Sequence, residues 1–173
     1  MAHYDATNAT VEIHIYKEGL LAAMGHDLKI QVTRFSIDVA DDRRSLTATF
    51  DPNSLSVVGA LDGSALSDKD KREIETNIHK KVLHPARYPK IDFSSNAVEP
   101  SGDGIRITGE LNLHGTTRTL SVSSHREGDQ QIVEIPINQP DFGIKPFRAP
   151  LGIIKIKPEI QIRISLPADS TAS

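Results

Sequence analysis

Seven histidines in a chain without cysteine are the side chains best suited to hold a metal ion or to exchange a proton near neutral pH. Zinc binding or general-base catalysis would need several of them to converge, and no HxH or HExxH spacing occurs. His14 and His114 fall on the polar parity of alternating segments, His125 sits beside a turn, and His79 and His84 belong to a charged helical stretch. Solvated surface positions account for them most simply. His26-Asp27, within Met24-Gly25-His26-Asp27-Leu28, is the most suggestive pair, because a carboxylate near an imidazole sets its tautomer and raises its basicity. Adjacent strand residues point to opposite faces, so a direct dyad needs a turn here. Loop anchoring through backbone hydrogen bonds is the competing use of the pair, and a polar contact at a ligand mouth is the third.

The other chemistries lack their signatures. Thiolate ligands, cysteine nucleophiles and disulfides are excluded by composition. There is no GxSxG elbow, phosphate loop or dinucleotide fingerprint. Gly102-Asp103-Gly104 reads as a turn, since no strand leads through it into a helix. Three aromatic-bearing segments remain, Tyr88 to Phe93, Asp141 to Ile144 and Pro146 to Arg148; they suit either a pocket rim or ordinary packing.

The elements that would position these residues are mostly strands. Val11, Ile13 and Ile15 alternate with Glu12, His14 and Tyr16, giving one apolar and one polar face. Leu28, Ile30 and Val32 keep even parity, then Phe35, Ile37 and Val39 switch to odd, which requires a bulge or tight bend near Thr33. Leu46, Ala48 and Phe50 run to Asp51-Pro52-Asn53, and Leu55 and Val57 follow. Ile105, Ile107, Gly109, Leu111 and Leu113 lead through His114-Gly115-Thr116 to Leu120 and Val122, the clearest hairpin in the chain. Val133, Ile135 and Ile137 make another strand, and Ile160, Ile162, Ile164 and Leu166 the last. The residues after Pro167 are expected to fray.

One segment breaks the two-residue period. From Ser67 to Leu83, Ile74, Ile78 and Val82 recur every four residues among charges, predicting one amphipathic helix with Ser67 or Asp68 as its N-cap and Pro85 just beyond its end. Many short strands with one helix fit a closed up-and-down barrel or a sandwich. At 173 residues a single domain is expected, with its ordered core over about 10–166. A net charge of −3 gives no global attraction to nucleic acid or anionic membrane, so any charged contact must be local. The longest apolar run, Leu20 to Met24, is too short to span a bilayer. The first ten residues lack the basic and apolar regions of a leader, which makes the cytoplasm the expected compartment.

Several of these segments, in this order, resemble the YceI-like family across nearly the whole chain. Gly19-Leu20-Leu21 and Gly25-His26-Asp27-Leu28 resemble an N-terminal element of one branch of that family. Val82-Leu83-His84-Pro85-Ala86-Arg87-Tyr88-Pro89-Lys90-Ile91-Asp92-Phe93 is similar to its helix exit and following strand, and Ile107 through Thr117 to its Gly-x-Leu-x-x-x-Gly-x-Thr hairpin. Phe142-Gly143-Ile144 and the strand from Lys157 to Leu166 resemble its C-terminal end. The resemblance implies an all-β fold, an eight-stranded antiparallel lipocalin-like barrel with one packed amphipathic helix. It also implies a tunnel that binds polyisoprenoid, isoprenoid-quinone or fatty-acyl chains, with no cofactor, no metal and no catalytic residue. Many family members carry a secretory leader, which this sequence does not show.

On that reading the ligand-binding residues are Ile13, Ile15, Leu20, Leu21, His26, Leu28, Ile30, Phe93, Ile107, Leu111, Val122, Ile135, Phe142, Phe147 and Ile162. Leu20 to Leu28 and Phe142 to Phe147 are expected near the mouth, where a polar ligand tip would meet His26, Asp27 or Arg148. With only five Phe, three Tyr and no Trp as bulky filler, a lining of Ile, Val and Leu is expected to leave the barrel hollow. The expected partner is an isoprenoid or fatty-acyl lipid, with no nucleic acid and no stable membrane insertion; a homodimer stays open. Two other readings stand beside this one: a metal- or cofactor-assisted enzyme built around His26 and its neighbouring histidines, and a structural stress protein with a filled core.

Overall fold

The computed structural model describes residues 1–18, 27–148 and 155–168. Leu20, Leu21 and His26 lie outside the described residues, as does nearly all of the segment expected to fray. The described strands are β1 (Ala2–Tyr4), β2 (Thr10–Ile15), β3 (Lys17–Glu18), β4 (Leu28–Val32), β5 (Phe35–Val39), β6 (Leu46–Phe50) and β7 (Leu55–Ala60), then, after the helix, β8 (Ile91–Ser101), β9 (Gly104–Leu113), β10 (Thr116–Glu127), β11 (Gln130–Asn138), β12 (Lys155–Ile156) and β13 (Glu159–Pro167). Eleven form one antiparallel sheet, and β3 with β12 forms a short separate ribbon.

The eleven segments reduce to the expected eight strands once their connectivity is followed. β1 and β2 both pair with the β4–β5 stretch, and β4–β5 in turn pairs with β7 and β6, so each of these three couples is one long strand with a bend in it. From β6 the ladders pass through β8, β9, β10, β11 and β13 and return to β2. Among the described residues the ring is not sealed along its full height, because β1 and β7 each keep one edge without a strand partner there. β1 precedes the first expected strand at Thr10: three residues are too few to show alternation, and only pairing with β5 fixes them.

The bend near Thr33 is where the parity switch required it. Thr33 and Arg34 break the β4–β5 strand, and the partner strand breaks opposite them. Thr33 N–H and its hydroxyl both donate to the Ser54 carbonyl, at 2.9 and 2.8 Å. Arg34 N–H donates to Ser54 Oγ at 3.0 Å and Asp51 N–H to the Arg34 carbonyl at 3.0 Å. The buried Ser54 thus takes up backbone groups that a regular ladder would have paired. A second irregularity, between Ser95 and Ala97, leaves no parity mark among the polar residues around it.

The helix begins where capping predicts: Ser67 Oγ accepts from Asp70 N–H at 3.1 Å, and α1 spans Asp68–Asn77. It continues as a wider π-type turn over Ile78–Leu83 and stops at His84, whose φ is 47°. Ile74, Ile78 and Leu83 pack with Ile30 and Val57, and Val82 packs with the Ile137, Phe142 and Ile144 cluster. The apolar stripe therefore covers the open seam beside β7. There the Val57 amide, on the unpaired edge, donates to the Glu75 carboxylate at 2.9 Å.

Candidate functional site

The inward residues of the barrel do not meet in the middle; they enclose a cavity of about 1440 Å³. Two-residue alternation aims Val11, Ile13 and Ile15 of β2, Leu28, Ile30 and Val32 of β4, and Ile160, Ile162, Ile164 and Leu166 of β13 at this space. Ile135 continues the wall beside Ile162, and Phe93, Ile107, Leu111 and Val122 complete it on the far side. Gly109 shares the inward parity of β9, and a Cβ there would lie 2.5 Å from the Phe93 ring and 2.4 Å from the Ser94 carbonyl. Its missing side chain lets Phe93 lie flat against the wall instead of filling the lumen.

Ionisable side chains border the cavity mainly at its two ends. Asp70, Glu73 and Lys81, with Asn77, stand on the helix face that also presents Ile74 and Ile78. Asp41, Arg43, Asp103 and Arg126 stand at the opposite rim. Asp51, at the bend, is engaged by the Arg34 guanidinium at 2.9 Å. Of the polar residues in the wall, Ser124 accepts from Ile105 N–H at 2.9 Å and Gln139 donates to the Lys157 carbonyl at 3.2 Å. None of the described histidines borders the cavity. Its chemistry among the described residues is that of an apolar container with polar ends.

Most of the described residues expected at the ligand, including Ile13, Ile15, Leu28, Ile30 and Phe147, lie on this wall. Phe142 is the exception. It is 2% exposed and does not itself border the cavity; the 3₁₀ turn Gln139–Phe142 buries its ring against Ile137 and Ile144, which do. Neither polar tip contact expected among described residues reaches the cavity. Asp27 accepts from the Lys17 amide at 2.9 Å, which makes it a loop anchor, and Arg148 forms a backbone bridge with Lys155. The helix-face residues Asp70, Glu73, Asn77 and Lys81 were not expected at the mouth, although their three- and four-residue spacing alongside Ile74 and Ile78 carries the signal.

Two histidine clusters lie outside the barrel. His114 and Gly115 close the β9–β10 hairpin with φ of 55° and 74°, the left-handed pair of a tight two-residue turn. The His114 ring lies 4.0 Å from Tyr88 and 6.2 Å from His84, so the helix exit and the hairpin clasp each other. Burial, then the neighbouring His84, holds the His114 imidazole below its ordinary pKa, against the opposing hydrogen bond with the Phe142 backbone. Its Nε2 is buried without a partner, which a neutral ring tolerates and a protonated ring does not. On the outer face of β10 and β11, His125, Glu127 and Glu134 bring ligand-type atoms within 4.8 Å of one another. All three are exposed, and Arg163 engages both carboxylates.

No helix among the described residues is long and apolar enough to cross a membrane. Residues 3–168 match the family described as the YceI-like domain. Protein YceI of Escherichia coli O17:K52:H18 is 38% identical over 42 residues, 24% of this chain and 22% of that protein. A UPF0312 protein of Shewanella sp. strain W3-18-1 is 30% identical over 99 residues, 56% of this chain and 46% of that protein; these matches thus span less than half the length of either relative. Among solved structures, Burkholderia cenocepacia BcnA superposes with a TM-score of 0.66 at 21% identity, covering 95% of this chain and 99% of that one. A polyisoprenoid binding domain from Saccharophagus degradans superposes with a TM-score of 0.60 at 11% identity, covering 93% and 94%. At these identities the two structures share the fold with this chain.

Proposed function

The chain belongs to the YceI-like family, and from that premise we propose that its barrel binds one long apolar or amphiphilic molecule, of polyisoprenoid, isoprenoid-quinone or fatty-acyl type, as a carrier or store. The observation that carries the reading is the cavity of about 1440 Å³ walled by Ile, Val, Leu and Phe side chains. At roughly 30 Å³ per water-sized group, such a space holds on the order of fifty heavy atoms. Burying an apolar chain there gains about 25 cal/mol for each Å² removed from water, and the wall makes few directional demands, so chain-length selectivity is loose. The polyisoprenoid binding domain from Saccharophagus degradans, with the same fold, adds support.

A filled-core structural protein fits poorly with a cavity of this size. A histidine-dependent enzyme draws no support from the described wall, which no described histidine borders. Cytoplasmic action belongs to the same proposal and is checked by cell fractionation. Native mass spectrometry of protein purified from its own host tests the function: a retained lipid mass is expected, and a fluorescent prenyl probe binds after delipidation. Retention of a metal ion in place of lipid, or failure of the delipidated protein to take up prenyl and acyl probes, overturns it.

A further inference from the structure

The two ends of the cavity differ in charge. At the helix end, Phe147 and Ile156 border the cavity and are tied together, Ile156 N–H donating to the Phe147 carbonyl at 3.1 Å. Lys81 Nζ lies 5.9 Å from the centre of the Phe147 ring. Around this pair, over segments 17–18, 78–83, 144–148 and 155–157, the exposed charged residues are Lys80, Lys81, Lys145, Arg148 and Lys157 against Glu18 alone. The collar is bounded: Asp70 and Glu73 border the cavity from the start of the helix, and Asp141 and Glu159 lie just beyond. At the opposite rim the balance is nearly even, with Asp41, Asp42, Asp103, Glu127 and Asp129 exposed against Arg43, Arg44, Arg126 and the N-terminal ammonium, which pairs with Asp41.

In a chain of net charge −3, this separation orients the molecule: an anionic surface attracts the collar and has no comparable attraction for the far rim. We infer that the basic collar docks the helix-end mouth onto an anionic lipid bilayer, where the barrel exchanges its apolar cargo; the inference rests on the function proposed above. A bilayer fits better than a nucleic acid because the collar surrounds an aromatic and an aliphatic side chain that open onto the apolar cavity, the pairing of cations and apolar groups that suits a lipid interface. The docking is peripheral and screened by salt.

Sedimentation of the full chain with large unilamellar vesicles tests the inference. Vesicles of phosphatidylcholine containing about a third phosphatidylglycerol are expected to bind the protein at low salt about tenfold more strongly than phosphatidylcholine alone, and to release it at high salt. The combined variant Lys80→Glu, Lys145→Glu and Lys157→Glu is expected to lose about tenfold in vesicle binding. Should the triple variant not fold, Lys145→Glu alone is expected to lose about threefold. Equal binding to both vesicle types, charge reversals without effect, or equally tight binding to a DNA duplex overturns the docking. Prenyl-probe binding in vesicle-free buffer separates the two claims. The reversed lysines do not border the cavity, so unchanged probe binding by the variants confines the loss to docking, whereas a wild type that binds vesicles but no probe overturns the proposed cargo and leaves the surface contact.

Discussion

The helix end of the barrel and its far rim are built differently. At the helix end, Ile78 joins Ile30 and Val57 in one buried cluster, and Phe142 joins Ile137 and Ile144 in another. The far rim is turns, with β1 held by three residue pairs to β5 and by His3, whose exposed ring reaches Asp38 at 2.7 Å and Asp5 at 3.2 Å. The comparison teaches that the helix end closes with apolar clusters of its own, while the outermost turns of the far rim are held by screened surface contacts; a further buried cluster of Val11, Phe35, Ile37, Val133 and Ile164 belongs to the barrel wall and has Tyr4 of β1 packed against it.

The strongest way to break that comparison is to charge the helix contact. Ile78→Asp is expected to cost about 3 kcal/mol or more, because it buries a carboxylate among aliphatic groups, whereas Lys80→Asp on the exposed face should cost well under 1 kcal/mol. Equal urea midpoints for the two variants would show that the helix is not docked. Next in size, Leu111→Trp should fill the lumen and weaken prenyl-probe binding about tenfold or more, while Glu110→Gln on the outer face leaves it unchanged. Titration of both proteins with the probe decides this. Glu75→Ala removes the acceptor of the Val57 edge amide and should cost about 1–2 kcal/mol by urea unfolding; no loss would mean that water replaces the carboxylate at the seam.

Smaller effects separate the ends by pH. His114 sits below its ordinary value of 6.5 in the folded protein, so the unfolded chain binds its proton more readily. Its contribution is fully present above about pH 6.5 and lost as pH falls through the folded value. His3 sits above 6.5, raised first by its hydrogen bond with Asp38. Its contribution is present below about pH 6.5 and lost as pH rises through the folded value. Relative to wild type, His114→Asn should lose less stability between about pH 7.5 and about pH 5.5, Asn being able to keep the left-handed turn. His3→Ala should shift the profile the other way and by less, since the ring is exposed. Urea midpoints across this range check both signs.

Much of the fold was legible because alternation is local. Ile13, Ile30 and Ile162 declare their side of the sheet by the parity of their neighbours, the switch at Thr33 forces a bend, and Ser67 and the Ile74, Ile78 spacing announce the helix. The candidate site was less legible. Phe142 reads as rim and is buried against Ile137 and Ile144, which border the cavity in its place. Asp27 reads as a ligand contact or an anchor, and its bond to the Lys17 amide makes it an anchor. Lys81 and Asn77 lie among the polar neighbours of the helix stripe, with no mark of their own in the sequence, and border the mouth. In each case the deciding contact joins residues distant in sequence or depends on how a turn rotates one ring.

The sequence by itself determined which side chains face inward, where the helix starts, and that the His114-Gly115 turn returns the chain, because a period of two, a capping hydroxyl and a left-handed turn act within a few residues. Tertiary structure decided that the two strands paired with β4–β5 bend along with it, that β1 belongs to the sheet, and that His84, Tyr88 and His114 meet. It also decided that the barrel is hollow. Lumen volume is the difference between the space that eight tilted strands enclose and the space their side chains fill, a balance over the whole ring that no local window contains.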